Sequence, residues 1–258
     1  MAELEGAEVL GARRLSFGAQ AATYDAVRPE WPAKTVTWML GSPTTATICR
    51  VVDLGAGTGK GTRAIAALGH EVIAVEPSDG MREALGASLD SMSADVARRI
   101  SSRAGQAEDI PVQTGSVDAV TVFQAWHWFD GQAAAAECAR VLRPGGWLSM
   151  AWHHRSEDDG WCSELSDIVE RGKSQPDDQE APPVGPQFEP FETELFTYSM
   201  RQSIEDLVLH ASTWSYVAIR PERDRVLDDV RSLGRRVADA HGMIEIPMTT
   251  RCYRLRRC

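Results

Sequence analysis

The chain has 258 residues, 43% of them hydrophobic and 25% charged, with a formal net charge of −10 at pH 7. At roughly 150 residues per domain this allows one to two domains, and a chain of this size buries about 73% of its unfolded surface, enough for a core without disulfide or metal staples. No apolar run approaches the ~18 residues of a membrane span, the acidic start MAELEGAEVL lacks the basic-then-apolar order expected of a signal peptide, and the negative balance argues against nucleic acid, which needs a basic face.

The five cysteines, Cys49, Cys138, Cys162, Cys252 and Cys258, are scattered, odd in number and without a CxxC pair. That is neither a disulfide framework nor zinc spacing, and a reduced, cytoplasmic protein is expected. Arg outnumbers Lys 24 to 3, but the arginines are interleaved with Asp and Glu and read as compositional bias.

Residues 1–45, with Trp31, Pro32 and Trp38, predict an N-terminal helical cover ahead of a main domain over 46–258. From residue 48 short apolar runs alternate with helical patterns. ICRVVDL (Ile48 to Leu54) precedes the helix-like KGTRAIAALG. EVIAVEP (Glu71 to Pro77) precedes SDGMREALGASLDSM, where Ser78 is placed to cap and Asp79 favours the first turn. A helix over 80–98 and a weak strand near Arg99 to Ala104 lead to SVDAVTVFQ (Ser116 to Gln124). GQAAAAECARVL predicts a helix that stops at Pro144-Gly145-Gly146, and WLSMAW (Trp147 to Trp152) a further buried strand. Strands alternating with helices indicate βαβ units on a parallel sheet. Between Gly172 and Glu192 five prolines and a run of carboxylates exclude regular structure, so an insertion is expected at about 155–192. Beyond it ETELFTYSMRQ alternates as a strand, Ser203-Ile204-Glu205-Asp206 opens a capped helix, Pro221 to about Asp239 is amphipathic, and MIEIPMTTRCYRL is a final strand.

The most informative stretch is Val51-Val52-Asp53-Leu54-Gly55-Ala56-Gly57-Thr58-Gly59-Lys60, a buried strand that runs into three alternate glycines and then a helix. Glycines permit a tight turn and close approach of backbone to a ligand, and the helix N-terminus offers N–H groups. A phosphate-binding P-loop does not fit. The position five before Gly59 is Leu54, and Gly61 follows Lys60 where Ser or Thr would hold magnesium. The dinucleotide fingerprint G-x-G-x-x-G fails too, with Lys60 or Thr62 where its last glycine belongs. What remains is D-x-G-x-G-x-G. Glu76 ends the second strand 17 residues after Gly59, where a doubly wound fold presents an acid to a ribose diol. A nucleoside ligand is expected.

These segments resemble the class I S-adenosylmethionine-dependent methyltransferases, and among them the methyltransferase type 11, trans-aconitate-methyltransferase-like small-molecule branch. The resemblance covers about residues 17–153. It is carried by FGAQAATYDAVRPEWP (Phe17 to Pro32), VVDLGAGTGKGT, VIAVEPSDGMREAL, and AEDIPVQTGSVDAVTVFQAWHWFD with ARVLRPGGWLSMAW. It implies an α/β fold, a Rossmann-like doubly wound sheet of seven mostly parallel strands, the last antiparallel. It implies S-adenosylmethionine as cofactor, with Gly55, Ala56, Gly57 and Gly59 under its methionine and ribose parts and Asp53 orienting the turn. Glu76 would take the ribose hydroxyls, and Pro77, Ser78 and Met81 would flank the adenine. Many members carry an Asp that binds the adenine amine. Here that position is Gln106, followed by Ala107, Glu108 and Asp109, so the contact shifts to Glu108 or backbone. Gln124 is expected near the methionine end and Tyr24 as a lid contact.

Several candidates keep two readings. Trp126, Trp128 and Phe129 are either core aromatics or walls of the methyl-transfer site, where their faces would favour a sulfonium. His127 is either a structural pocket histidine or a general base. Arg28 is either a carboxylate clamp beside the cofactor or the partner of Asp25 or Glu30. Adjacent strand residues point to opposite faces, so His153 and His154 cannot share an ion, and no metal is expected. Arg251, Arg254, Arg256 and Arg257 make a basic end that is either a solvated edge strand or an anion anchor. The expected function is methyl transfer to an oxygen, in preference to carbon or nitrogen, of a small organic acceptor such as a carboxylate, by a monomer or homodimer. Two rivals stay open: a nucleotide-cofactor oxidoreductase of Rossmann type, and a non-catalytic S-adenosylmethionine-binding protein.

Overall fold

Three apolar runs make the centre of the sheet. β1 (Arg50–Leu54), β2 (Glu71–Val75) and β4 (Val117–Phe123) are buried along nearly their whole length, the pattern of strands covered on both faces. β1 pairs in parallel with β2, Val51 opposite Val72, and on its other edge with β4, Val52 opposite Val120. β3 (Ile100–Arg103) lies outside β2, and β5 (Leu142–Arg155) beside β4, both parallel to their neighbours. With β6 (Glu192–Ser203) and β7 (Met243–Arg256) the seven strands stand in the order β3-β2-β1-β4-β5-β7-β6. The computed structural model describes residues 21–41, 48–156, 160–170 and 184–258.

β7 runs against its neighbour. Gly145 N–H donates to Arg257 O and Arg257 N–H to Gly146 O, whereas His153, further along β5, meets Thr250. As β5 ascends, β7 descends. The sheet is the expected one, seven strands with a single antiparallel member.

The helices among the described residues are α1 (Ala21–Val27), α2 (Ala33–Met39), α3 (Lys60–Ala67), α4 (Asp79–Leu89), α5 (Ala94–Ala97), α6 (Gly131–Val141), α7 (Gly160–Glu170), α8 (Ile204–Ser212), α9 (Ser215–Ala218) and α10 (Arg223–Val237). Alternate strand residues serve opposite layers. Val52, Leu54, Ile73, Val120 and Leu148 enter one core with Ala134, Ala135 and Cys138 of α6. Val51, Val72 and Ala119 enter the other with Ile65 and Ala66 of α3 and Val36 and Met39 of α2.

Two local expectations change. The helix expected over 80–98 divides into α4 and α5, because Asp90, Ser91 and Ser93 compete with helical hydrogen bonds and Ser93 is extended at φ −62°, ψ 143°. The strand expected from Trp147 begins at Leu142, and the break at Pro144-Gly145-Gly146 becomes an irregularity inside it. Leu142 pairs with Val117 and Trp147 with Ala119, while Gly145, at φ 77°, turns the extra residues.

The chain divides into two compact units, one of Glu30–His153, Pro176–Phe196 and Thr250–Cys258, the other of Met1–Pro29, His154–Gln175 and Thr197–Thr249. In the latter, α10 buries Val226, Val230, Leu233 and Gly234, one face of a 3.6-residue repeat, in a cluster with Leu165, Leu207, Val208 and Ile244. A capping box of Ser203 and Asp206 starts α8 where the sequence places it. Residues 1–20 and 42–45 of the expected cover, and 157–159 and 171–183 of the expected insertion, lie outside the described residues.

Leu148 is fully buried in register with Val120. Leu148→Ala should cost ~2–5 kcal/mol and lower the calorimetric Tm by on the order of 10 °C; an unchanged Tm would place this side chain outside the stabilising core.

Candidate active site

The carboxyl ends of β1, β2 and β4 converge on the glycine turn. Gly55 N–H and Ala56 N–H donate to Val75 O at 2.9 and 3.2 Å, tying the turn to the end of β2. One residue later Glu76 reaches back. Its Oε2 accepts from Gly57 N–H at 3.0 Å and its Oε1 from Ser78 N–H at 2.9 Å. Ser78 caps α4, accepting from Met81 N–H at 3.4 Å, so the Glu76 carboxylate also lies at a helix N-terminus, where the dipole favours negative charge. Glu76 is 8% exposed.

The glycines differ in what they face. A Cβ at Gly55 would stand 2.8 Å from Ala125 Cβ and 3.1 Å from Phe129 Cζ, and one at Gly59 only 2.1 Å from Leu85 Cδ1. Packing explains both. Gly57, at φ 55°, has nothing within 4 Å of the corresponding point. Its missing side chain leaves open space.

Asp53, near the end of β1, is buried. It accepts a 2.6 Å bond from Thr62 Oγ1 on α3, and Thr121 Oγ1 on β4 stands 3.5 Å away. Burial pushes its carboxyl up to about 7; the threonine bonds pull the other way and the Glu76 charge adds to the rise. Asp53 ties strand to helix beneath the turn.

At the end of β4, Gln124 adopts φ 57°, the one positive value among the described non-glycine residues. Such strain collects at functional sites. Its N–H donates to Ala151 O at 2.9 Å and its Nε2 to His153 O at 3.4 Å. A 3-10 turn, Trp126–Trp128, follows. Trp126 is buried 5.8 Å from Phe129, and Trp128 and Phe129 are partly buried against the same core. His127 is exposed, and its Nδ1 accepts from Trp152 Nε1 at 3.4 Å.

The remaining predicted residues scatter more. Pro77 is exposed and Met81 buried. Gln106 is exposed and bridges to Asp109, Ala107 is buried, and Glu108 Oε1 accepts from Asp130 N–H at 2.8 Å. Tyr24 and Arg28 belong to the other unit. There Arg28 lies 4.8 Å over the Tyr24 ring and donates to Thr213 Oγ1 at 3.1 Å and Thr213 O at 3.0 Å. Glu30, offered as a partner for Arg28, instead pairs with Lys60.

Other residues emerge only from the structure. Lys60 is buried at the first position of α3, and Trp31 lies 3.7 Å from the His153 ring and 4.6 Å from Phe123. Thr62, in the first turn after the glycines, is readable from its spacing to Asp53; Glu30 and Trp31 are too far along the chain for any periodicity to join them to their partners. The basic C-terminal end also reads differently. β7 is an interior strand, so it is not an edge; Arg254 stacks on Trp38 and Trp147 at 4.3 and 4.6 Å and pairs with Glu192. Among the described residues no group of three or more His, Cys, Asp or Glu is placed to hold a metal.

A family model described as a methyltransferase domain matches residues 52–150. Over 251 residues the chain is 39% identical to an uncharacterized methyltransferase of Mycobacterium tuberculosis (strain H37Rv), covering 93% of this chain and 95% of the relative. An uncharacterized methyltransferase of Schizosaccharomyces pombe is 29% identical over 215 residues, 81% of this chain and 82% of the relative. In structure the chain is similar to a protein of Anaeromyxobacter dehalogenans assigned as a type II methyltransferase, with TM-score 0.65, 21% identity, and 89% of this chain and 97% of that one covered. That likeness speaks for the fold.

An acid whose folded value lies above its ordinary 3.8 binds more protons folded than unfolded between about pH 4 and pH 7, so its contribution to stability falls as pH rises through that window. Relative to Asp53→Asn, the native chain should lose up to about 1.4 kcal/mol per pH unit there, read from urea midpoints at several pH values. Parallel pH profiles for the two proteins would show that Asp53 does not titrate in this range.

Proposed function

Because the chain belongs to the class I S-adenosylmethionine-dependent methyltransferase family, we propose that its glycine turn and Glu76 hold S-adenosylmethionine and that it methylates an oxygen, a carboxylate oxygen first, of a small organic acceptor. The observation that carries the assignment is the open space at Gly57 beside the Glu76 carboxylate. A phosphate-binding turn aims its N–H groups at an anion. Here the Gly57 N–H goes to Glu76, and a second carboxylate, Asp53, is buried below. That environment suits hydroxyls and positive charge, which an adenosyl sulfonium carries and a pyrophosphate does not.

When bound, the cofactor supplies an activated methyl group on sulfur. The chain's own part is holding and aligning, which in favourable cases supplies ~7–11 kcal/mol of a barrier. In this reading Gly55, Ala56, Gly57 and Gly59 give backbone to the methionine and ribose parts, Asp53 acts through Thr62 to fix the turn, and Glu76 takes the ribose diol. Pro77, Met81, Gln106, Ala107 and Glu108 border the adenine, and Gln124 the methionine end. Tyr24 and Arg28 enter on the sequence resemblance. Residues 1–45 and about 155–192, the least patterned stretches, are assigned to acceptor choice. No described helix is long and apolar enough to cross a membrane, and the scattered cysteines suit a reducing compartment, for which we take the cytoplasm.

Calorimetric titration with S-adenosylhomocysteine tests the site. Gly57→Val should abolish binding by filling the open space, and Glu76→Ala should weaken it by roughly 1–3 kcal/mol. Native affinity in both variants would remove the assignment.

A further inference from the structure

Glu76 is held through its main chain as well as through its carboxylate. Its N–H donates to Arg103 O on β3 at 3.1 Å. Its carbonyl lies past the last register pair of β1 and β2, Leu54 opposite Val75, because β1 has already turned into the glycines. The donor it meets instead is the Arg82 guanidinium, whose Nη1 bonds Glu76 O at 2.7 Å. Pro77 follows, which confines Glu76 to extended backbone. With N–H and C=O both pinned, the Cα–Cβ direction is fixed, and the carboxylate with it. By local preference Arg82 is misplaced. It stands at the end of the first turn of α4, where the helix dipole disfavours a cation, yet its side chain is 20% exposed. Asp79, 85% exposed, pairs with it, and an exposed pair at this spacing contributes little alone. The bond to Glu76 O is the contact that accounts for the residue.

The same side of α4 reaches the glycine turn. Leu85 stands where a Gly59 Cβ would need room. Ser88 Oγ accepts from Arg63 Nη1 at 2.9 Å, and the same nitrogen donates to Thr58 O, inside the turn, at 2.8 Å. Arg82, Leu85 and Ser88 follow at intervals of three, the spacing of neighbours on a helix surface. One helix therefore grips the strand end that carries Glu76 and the turn that faces it.

We propose that Arg82 is a positioning residue of the cofactor site: by holding Glu76 O it aims the Glu76 carboxylate at the ribose diol, and so sets the preference for ribose over deoxyribose without touching the ligand. Arg63 has a different part. It holds the turn that lies under the cofactor and bears on both sugars alike. The proposal rests on the cofactor site described above.

Calorimetry with S-adenosylhomocysteine and with its 2′-deoxy analogue reads that preference as a ratio of Kd values. The native protein should bind the deoxy compound roughly tenfold or more weakly, and Glu76→Ala should bring the ratio to about one. Arg82→Met, which keeps the apolar stem, should weaken S-adenosylhomocysteine by about fivefold to tenfold and the deoxy compound by less than about twofold. Adding Arg82→Met to Glu76→Ala should cost nothing further, since residues that act through one interaction are not additive. Arg82→Lys keeps the charge and a single donor, and its ratio should fall between those of the native protein and Glu76→Ala; where Arg82→Met does not fold, this variant decides. Arg63→Ala should weaken both ligands by the same factor. A native ratio in the Arg82 variants, equal losses for the two ligands in Arg82→Met, or additive losses in the double variant would each overturn this proposal alone. A native protein that binds neither compound, or a Glu76→Ala variant that keeps the native ratio, would overturn the Glu76 ribose site and this proposal with it.

Discussion

The turn after β1 is tied to the end of β2 by Gly55 N–H and Ala56 N–H on Val75 O and by Gly57 N–H on Glu76 Oε2, and the geometry of the site depends on that junction. Together these bonds hold the turn at the sheet edge. The bare Cα of Gly55 then lets Ala125 and Phe129 approach from the end of β4. Three strand ends meet over one loop because one residue lacks a side chain and another supplies a buried carboxylate. In a parallel sheet this edge is where successive βα connections open outward, and Glu76 closes one of them with side-chain chemistry.

Local rules are broken together here. A buried carboxylate is costly, yet Asp53 and Glu76 are both buried within one crossing of the sheet. A cation is unfavourable at a helix N-terminus, yet Lys60 is the first residue of α3 and is neutralised by Glu30 across 30 residues of sequence. Gln124 holds a left-handed backbone that glycine would adopt at no cost. Elsewhere the described structure obeys local preference: alanines in α6, a capping box at α8, a regular apolar stripe along α10. Conflicts that collect at one edge of an otherwise consistent fold mark the part shaped for chemistry.

That contrast also explains what could be read from the chain. β1, β2 and β4 are legible because burial on both faces leaves an unbroken apolar run, and the glycine turn because its spacing excludes two better-known loops residue by residue. The start of β5 is not legible, since Pro144-Gly145-Gly146 reads as a stop and only pairing with Val117 keeps Leu142 in the sheet. Nor is the division of the helix after α4, where weak local preferences decide. Long-range contacts of single side chains escape altogether. Trp31 on His153, Glu30 on Lys60 and Trp152 on His127 have no period to betray them. His127 itself is visible in the sequence; its bond to Trp152, 25 residues away, is not.

The two sides of the proposed site divide the electrostatic labour. Carboxylates, Asp53 and Glu76, stand at the ends of β1 and β2, and aromatic side chains, Trp126, Trp128 and Phe129, in the segment after β4. On the proposed reading the carboxylates face a cationic methyl donor, and the acceptor is an anion. Charge is lost on going from the two reactants to products, so the transition state is less polar than the ground state. A surrounding of low dielectric then favours reaction, because it stabilises the separated charges less than water does. Trp126, Trp128 and Phe129 supply such a surrounding next to the turn. The same aromatic wall would penalise an enzyme that had to create an alkoxide before transfer, since there charge must first be generated in a poorly solvating site. An acceptor that is ionised before it enters is therefore consistent with this wall, and one that must first be deprotonated works against it.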